Sequence, residues 1–372
     1  MDTKYDVVVI GAGPTGIFTC YELLEKNPKL KVLLVDKGQD IYNRKCPILE
    51  KKINKCPENK DGYRGCYPAC SITNGFGGAG AYSDGKFNIT SEFGGWMSDY
   101  LDNEEVEDLI EYVDAINLTH GANQTITDPT TRKVKDIERK GMAVGLKLLR
   151  ARVRHLGTEE NLEILKRIYE HLRQKVTMKY KTEVKELIIK DRRVKGLRMD
   201  GKDIYTNQIV IAPGRDGSKW LLDICKEYNI EYTSNQVDIG VRVETNDEIM
   251  EEINEHLYEG KFMYRTSVGT TVRTFCSNPS GHVVLENHSG TMLANGHSYF
   301  DPNLGSKNTN FALLVSHMFS DPFDQPNEFA HEVSRLANRL SNGSVIVQTY
   351  GDIKRGRRTT DKRLKESFVN PT

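Results

Sequence analysis

The sequence predicts an α/β fold: a discontinuous, Rossmann-like domain and a second, mixed β-rich domain that forms an α+β cap. Three observations lead to this prediction. The N-terminal stretch has the pattern strand, glycine turn, helix, strand; residues 176–211 alternate strand-like runs with turns; and 372 residues suffice for two domains with sizeable cores. We expect the first domain at 1–100 and 166–234, a helical insertion at 101–165, the second domain at 235–350, and the start of a return to the first domain at 351–372.

The first element is the run Val7–Ile10, whose continuous β-branched side chains are typical of a central parallel strand buried on both faces. Three glycines with the spacing G-x-G-x-x-G follow it. In that spacing the first makes a tight turn, the second lets the backbone approach a diphosphate, and the third lets the helix pack on the strand. The N–H groups and dipole at the helix start attract the diphosphate. This turn predicts a dinucleotide site at Gly11, Ala12, Gly13, Pro14 and Gly16.

The second strand covers residues 31–35 and ends at Asp36, which follows Gly16 by 20 residues. A carboxylate at this position accepts hydrogen bonds from both hydroxyls of an adenosine ribose and repels a 2′-phosphate. We therefore expect FAD or NAD rather than NADP, with Asp36 and Lys37 in the cofactor site.

A second glycine-rich stretch, "SITNGFGGAGAYSDGKF" (71–87), has no strand-like run before it and no helix-like run after it. It therefore lacks the pattern of a second dinucleotide domain and is predicted to be a coil. Glycines permit backbone conformations in which successive N–H groups converge on an anion or an electron-rich ring. The stretch favours a second contact on one long cofactor; a flexible surface loop is the alternative.

The segment "GFGGAGAYSDGK", with the cysteines upstream of it, resembles the hallmark of a family of poorly characterised FAD-dependent dehydrogenases (NAD(P)/FAD-dependent oxidoreductases). Matching segments follow in the family's order, among them "IVIAPGRDGSKWL" (209–221), "VRTFCSNPSGHVV" (272–284) and "DIKRGRRTT" (352–360). The resemblance thus covers nearly the whole chain. It implies an FAD-dependent oxidoreductase that transfers a hydride between a small organic substrate and FAD.

The resemblance also implies the positions of cofactor-binding residues. The loop would lie along FAD at Gly77, Gly78, Ala79 and Gly80, and near its flavin half at Ser83, Asp84 and Lys86. The adenine would lie beside Glu183 and Val184, and a returning strand would bring in Ala212, Pro213 and Gly214. The family has a further glycine-rich turn and helix beyond the position of Thr372, so we expect this chain to be a truncated product or a fragment.

Candidate catalytic residues are the cations and histidines of the second domain, since the flavin itself carries out hydride transfer. Arg273 is a candidate for bidentate binding of a substrate carboxylate. His282 and His297 are candidate acids or bases, and Lys86 joins them from the glycine loop. Arg242 is either an ion-paired structural residue or part of the same site, and Cys276 is expected to be a small buried residue.

Two alternatives stay open at this stage. Cys46, Cys56, Cys66 and Cys70 precede the glycine loop, so the chain could be a flavoprotein redox sensor or electron-transfer module with a metal or thiol element. The C-x2-C and C-x4-C spacings usual in metal sites do not occur, and no metal is predicted. The basic run 354–365 would suit an RNA-modifying flavoenzyme, although a solvated face is favoured.

Composition limits the partners. The 52 basic and 52 acidic residues cancel, so no overall field attracts nucleic acid or an anionic membrane. No apolar run approaches the roughly 18 residues of a membrane span. The early first strand leaves no room for a signal peptide, and seven cysteines favour reduced thiols. We expect a cytoplasmic enzyme with a small-molecule substrate and an electron carrier such as NAD(P)H, and we expect neither membrane nor nucleic-acid binding.

Overall fold

The computed structural model describes residues 4–58, 65–320, 322–323 and 325–372. The chain divides into two compact units. The first unit comprises Met1–Tyr82, Leu162–Thr233 and Asn287–Gly290, and the second comprises Ser83–Asn161, Ser234–Glu286 and Thr291–Thr372. Residues 83–161 and 351–372, which the sequence assigned to the first domain, its insertion and its return, are grouped with the second unit.

The strands, in chain order, are β1 (Val7–Ile10), β2 (Val32–Val35), β3 (Lys86–Ile89), β4 (Leu146–Leu149), β5 (Arg152–His155), β6 (Thr177–Lys179), β7 (Val184–Lys190), β8 (Arg193–Met199), β9 (Lys202–Tyr205), β10 (Ile209–Ile211), β11 (Val237–Asn246), β12 (Lys261–Arg265), β13 (Thr271–Asn278), β14 (His282–His288), β15 (Thr291–His297) and β16 (Asn308–His317). The helices are α1 (Pro14–Lys26), α2 (Asn103–Thr119), α3 (Arg132–Met142), α4 (Gly157–Leu172), α5 (Ser218–Glu227), α6 (Asp247–Leu257), α7 (Pro326–Leu340), α8 (Tyr350–Lys354) and α9 (Asp361–Lys365). Among the residues that the structure describes, no helix combines the length and apolar character needed to cross a bilayer.

The first unit is built on a parallel sheet of strand order β10-β1-β2-β6. All four residues of β1 are buried between β2 and β10, as the β-branched run predicts. The strand–turn–helix–strand pattern of β1, α1 and β2 is present, so the predicted α/β fold class is confirmed.

A three-stranded antiparallel meander, β7-β8-β9, packs its apolar face against this sheet. Its turns fall at Asp191–Arg192 and Asp200–Gly201, where the backbone adopts positive φ. Both lie within residues 176–211, where the sequence predicts strand-like runs alternating with turns. The meander and the parallel sheet share one core, formed by Val8, Ile10, Leu33, Val35, Val184, Leu197, Met199 and Ile204.

The second unit contains a five-stranded antiparallel sheet of order β11-β16-β13-β12-β4, with the smaller pairs β3-β5 and β14-β15. The sequence predicted a helical insertion at 101–165. Helices α2, α3 and α4 are present, but β4 and β5 lie between them. These short strands are stabilised by pairing with β12 and β3, which are distant in the sequence, so local propensity does not reveal them.

The two faces of this sheet differ because side chains alternate along each strand. One face packs on α3 and α6 through a core of Val134, Ile137, Leu148, Leu257 and Phe262. The opposite face carries charged and polar residues. We call it the polar sheet face and define it by Asp238, Arg242, Lys261, Arg273, Phe275 and Asn310.

Candidate functional site

The glycine turn between β1 and α1 has the geometry that the fingerprint predicts. Gly11 has φ +102°, and a Cβ added to it would overlap the carbonyl oxygen of Ala212. A Cβ on Gly16 would overlap the carbonyl oxygen of Gly11. Position 13 is different, because the nearest heavy atom to an added Cβ is the Gly78 Cα at 4.0 Å. Packing thus requires Gly11 and Gly16, whereas position 13 has room for a Cβ in ordinary contact with Gly78 and lies at the start of α1, where a helix attracts an anion.

Asp36 lies beside this turn at the end of β2. Its Oδ2 accepts a hydrogen bond from the Ala12 N–H at 2.8 Å, and its Oδ1 accepts one from the Gly38 N–H at 2.7 Å. A carboxylate has about four acceptor sites, so both oxygens retain capacity for a ligand hydroxyl. The Asp36 carbonyl also accepts from the Thr182 N–H at 3.1 Å, which places the chain just before Glu183 and Val184 beside it.

The second glycine stretch lies directly on the first. The Gly77 N–H donates to the Ala12 carbonyl at 2.8 Å, and a Cβ on Gly78 would lie 3.1 Å from the Gly13 Cα. Gly80 approaches Pro14, since a Cβ on it would lie 3.9 Å from the Pro14 Cγ. The stretch contains a short 3₁₀ turn, Gly78–Tyr82, and has no strand within residues 65–77. Two glycine segments about sixty residues apart in the sequence therefore share one location.

Arg44 holds this second stretch in place and was missed in the sequence. Its guanidinium donates to the carbonyls of Ser71 at 2.9 Å, Ile72 at 2.7 Å and Phe76 at 2.7 Å. The residue is only 3% exposed, and burial lowers its pKa to about 10. An arginine between ordinary polar residues gives no signal of this role, which depends on three carbonyls about thirty positions away.

The remaining residues predicted along the cofactor in this unit lie near the same turn. Ala212 follows β10, and its N–H donates to the Ile10 carbonyl at 2.8 Å. Pro213 and Gly214 follow it. Lys37 forms an ion pair of 2.5 Å with Asp216, just beyond them. The carboxyl ends of β1, β2 and β10 thus bring these predicted residues together at one edge of the parallel sheet.

The four cysteines that precede the glycine loop belong to the first unit and form no disulfide bond among the described residues. Burial and the neighbouring thiols of Cys70, Cys46 and Cys56 raise the pKa of Cys66, which favours its protonated form. Metal binding and redox exchange both use the thiolate. Within residues 4–58, 65–320, 322–323 and 325–372, no three His, Cys, Asp or Glu side chains are arranged to hold a metal ion.

Three predicted residues, Ser83, Asp84 and Lys86, belong to the second unit. The Lys86 ammonium is buried and lies 2.5 Å from Glu259 Oε2, 2.6 Å from the Ser277 carbonyl and 3.3 Å from Asp84 Oδ2. Burial opposes its charge, but Asp84 and Glu259 hold the pKa of Lys86 well above its ordinary value. The ammonium therefore donates to two acceptors, Glu259 and the Ser277 carbonyl, and pairs with Asp84 by charge alone, because Asp84 Oδ2 has no hydrogen-bond partner among the described residues. Both carboxylates hold Lys86 in its charged form, which does not suit it to proton transfer.

His297 and His282, both predicted as acids or bases, lie near each other in this unit, with ring centroids 5.9 Å apart. The Thr158 hydroxyl donates to the Ser298 carbonyl, so it accepts from His297 Nδ1 at 3.0 Å, and His297 Nε2 is left as the basic nitrogen. Burial, with His282 adding to it, lowers the pKa of His297, so the ring is neutral near pH 7. The His282 Nε2–H donates to the Leu304 carbonyl at 2.9 Å.

A second imidazole and hydroxyl cluster in the same unit was not predicted. The His155 ring stacks on Tyr258 at 4.2 Å, and the Ser298 hydroxyl lies 2.8 Å from the Tyr258 hydroxyl and 3.3 Å from His155 Nε2. Burial lowers the pKa of His155 to about 4. The sequence gives no sign of this cluster because its members come from β5, the end of α6 and the end of β15.

Arg273 has neighbours other than the histidines. Its Nη2 forms an ion pair with Asp238, and its guanidinium carbon lies 5.7 Å from the centre of the Phe275 ring. Arg242, left open in the sequence, donates to Asn310 Oδ1 and to the Cys276 carbonyl rather than to a carboxylate. Cys276 itself is half-buried, with φ +49° at an irregularity of β13.

Two cavities, of about 380 and 350 Å³, lie within the second unit. The first lies between β3, α2 and the loop that contains Gly94 and Gly95. The second lies between α3, α6 and β12. Neither is lined by a residue that the sequence predicts as catalytic or cofactor-binding.

Comparison with known proteins gave matches among solved structures alone. No family model matches the sequence, and no curated protein matches it. Glycine oxidase from Geobacillus kaustophilus is 12% identical over 96% of this chain and 99% of its own, with a TM-score of 0.39. L-proline dehydrogenase from P. horikoshii is 15% identical over 73% and 69%, with a TM-score of 0.36. L-amino acid deaminase from Proteus vulgaris is 15% identical over 73% of this chain, which spans 60% of that protein's length, with a TM-score of 0.38. Likenesses at this level identify neither the activity nor the substrate of this chain.

Proposed function

We propose that this chain is an FAD-dependent oxidoreductase that transfers a hydride between a small organic substrate and FAD. The observation that carries the proposal is the meeting of the two glycine stretches at the start of α1. The Gly77 N–H donates to the Ala12 carbonyl, Asp36 lies beside them, and position 13 would accept a Cβ without overlap. Packing requires Gly11 and Gly16 in this turn but does not require Gly13. A glycine at position 13 is therefore explained by a ligand that approaches the backbone at that position.

The chemical groups of the first unit are those that FAD needs for binding. The N–H groups at the start of α1 would bind its diphosphate, and Asp36 would accept from the ribose hydroxyls. The loop at Gly77, Gly78, Ala79 and Gly80 would bind it a second time, and the chain at Glu183, Val184, Ala212, Pro213 and Gly214 would complete the site. The resemblance to FAD-dependent dehydrogenases supports the assignment of Ser83, Asp84 and Lys86 to the flavin half. Bound FAD would supply a two-electron acceptor.

The residues of the second unit would act on the substrate. His297 is neutral and has a basic Nε2, so it suits removal of a substrate proton. His282 would assist from beside it. Lys86 is better suited to a structural role than to catalysis, because its buried ammonium is held charged by Glu259 and Asp84. Arg273 would bind substrate, and an electron carrier such as NAD(P)H would complete turnover in the cytosol.

The two alternatives receive less support from the structure. A redox or metal element at the cysteines needs thiolates, whereas the raised pKa of Cys66 favours the thiol. An RNA contact at residues 354–365 needs free cations, whereas Arg357 and Arg363 both bind the Asp352 carboxylate.

The test is the absorbance spectrum of the purified protein after reconstitution with FAD, followed by anaerobic reduction with NAD(P)H and with candidate substrates. We expect a flavin spectrum that is bleached by a reducing substrate. A colourless protein that takes up no FAD would overturn the proposal. Reduction that fails in variants lacking Cys66 or Cys70 would favour the redox-sensor alternative.

A further inference from the structure

We infer that the polar sheet face of the second unit binds the carboxylate of a small organic acid, at Lys261 and Arg273. The inference that this acid is the substrate rests on the proposed function. The inference that the acid binds here depends only on the contacts of these two residues. The sequence suggested a carboxylate contact at Arg273 but gave no role to Lys261.

Lys261 is a buried cation, and none of the described residues offers a carboxylate as its hydrogen-bond partner. The residue is 1% exposed, and its ammonium donates to the carbonyl of Phe93 at 2.5 Å. Two aromatic rings also lie against the ammonium, with the Phe93 ring centre at 4.3 Å and the Phe275 ring centre at 5.1 Å. Burying an ammonium is costly unless an anion accompanies it. A carbonyl and two rings offset that cost only in part.

Arg273 lies on the neighbouring strand and also retains an unused donor. Its Nη2 pairs with Asp238, whose other oxygen accepts from the Ser316 hydroxyl at 2.6 Å. Its Nε is buried without a hydrogen-bond partner among the described residues. The other nearby carboxylate, Glu259, is bound by the Lys86 ammonium and by the Ser277 N–H at 3.1 Å. Asp238 is thus paired with Arg273, and Glu259, which faces Lys261, is already hydrogen-bonded to other donors.

The hydrogen-bond donors of Lys261 and Arg273 indicate the charge of the ligand. An ammonium and a guanidinium Nε with spare capacity bind acceptor atoms that carry negative charge more strongly than neutral ones, and a carboxylate presents two such oxygens to the pair. Phe275 is 41% exposed beside them and offers an apolar surface to the rest of the molecule. An aryl or alkyl carboxylic acid meets both requirements.

Access to Lys261 would be through the segment that covers it. Phe93 precedes Gly94 and Gly95, which are both exposed and have φ of +130° and +98°. A Cβ added to either glycine would meet no atom within 4 Å, so this part of the segment is loosely packed. A ligand carboxylate would replace the Phe93 carbonyl as the acceptor for Lys261.

Binding should depend on pH through Lys261. Burial and the charge of Arg273 lower the pKa of Lys261 to about 8. Facing it are Arg273 on β13, Glu259 before β12, Lys86 on β3 and Asp238 on β11, of which only the two carboxylates favour its charged form. An anion would raise the pKa, so binding near pH 8 takes up a proton and weakens as the pH rises further.

The test is calorimetric titration of the full chain with phenylacetate, with neutral phenylacetamide and inorganic phosphate as comparison probes. We expect phenylacetate to bind and both other probes to bind at least about tenfold more weakly. Lys261→Met should weaken phenylacetate binding by about tenfold or more, the loss expected for a hydrogen bond to a charged group. Lys261→Arg should recover part of it. Lys202→Met, at an exposed lysine on β9 of the first unit, is the matched control and should leave binding unchanged.

The pH series keeps the inference testable if a variant folds poorly. For the wild type, the dissociation constant should rise as the pH passes through about 8, and this rise should be absent in Lys261→Met. Equal binding of phenylacetamide, equal binding of phosphate, or an affinity that ignores Lys261 would overturn the inference. FAD content, read from absorbance in the same samples, separates the two proposals. FAD without phenylacetate binding removes the inference alone, and phenylacetate binding without FAD removes the proposed function alone.

Discussion

Replacing Gly13 by alanine should separate cofactor binding from folding. Gly13 has φ −74° and ψ −177°, a conformation open to any L-residue, and its added Cβ would lie 4.0 Å from the nearest heavy atom. The protein can therefore accept the methyl group without moving. Stability should be unchanged or increase by about 0.4–1 kcal/mol, because alanine reduces the entropy of the unfolded chain.

The same methyl group would occupy the space through which a diphosphate approaches the start of α1. Losing one or two hydrogen bonds to a charged group costs about 1.5–3 kcal/mol each, so FAD affinity should fall by about tenfold to more than ten-thousandfold. Titration of the protein with FAD, followed by calorimetry or by the flavin spectrum, measures this loss. Denaturation in urea measures stability on the same samples.

Gly16→Ala is the contrasting variant. Its Cβ would overlap the Gly11 carbonyl oxygen and lie 3.3 Å from a Val9 methyl carbon, so it should lose stability and FAD binding together. A folded Gly13→Ala protein that binds FAD as tightly as the wild type would refute the assignment of the diphosphate to this turn.

Three further predictions follow from the contacts of single residues. Each carboxylate oxygen of Asp36 accepts a hydrogen bond from a backbone N–H, and Asp36→Asn replaces one of these oxygens with an NH₂ donor. The free energy of unfolding, measured by urea denaturation, should therefore fall by about 1–3 kcal/mol. An unchanged midpoint of unfolding would contradict this. Hydrogen bonding, with Arg357 as the largest cause, holds the pKa of Asp352 well below its ordinary value. Asp352 should thus stabilise the fold above about pH 3.9 and lose that effect as the pH falls, so wild type and Asp352→Asn should converge in acid unfolding and differ near pH 7. His297→Gln should slow anaerobic flavin reduction by about 100-fold or more. The wild-type rate should depend on a group with a pKa below about 6.5, and this dependence should be absent in the variant. An unaltered pH profile would show that His297 is not the base.

The parts of the fold that the sequence predicted are those with local causes. The β-branched run of β1, the glycine spacing and the carboxylate after β2 lie within thirty residues, and each follows from backbone geometry or burial. The meander was predictable for the same reason, because its turns carry Asp and Gly between strand-like runs.

The parts that the sequence did not predict depend on contacts between distant residues. Arg44 acts on carbonyls at positions 71, 72 and 76, and β4 forms a strand because β12 lies beside it. Lys261 looks like an ordinary surface lysine, and its burial follows only from the register of β12 within the sheet. Local sequence therefore does not predict a site whose residues are brought together by strand pairing.

The alternation that produces the polar sheet face also limits how this part of the chain can change in length. Lys261 and Phe262 are adjacent, yet one belongs to the polar sheet face and the other to the core against α3 and α6. A deletion of one residue within β12 would exchange them, placing an ammonium in the core and a phenyl ring on the polar sheet face. Insertions should therefore be tolerated in the turn at 266–270 and selected against inside the strand, so length variation among natural homologues should fall in that turn.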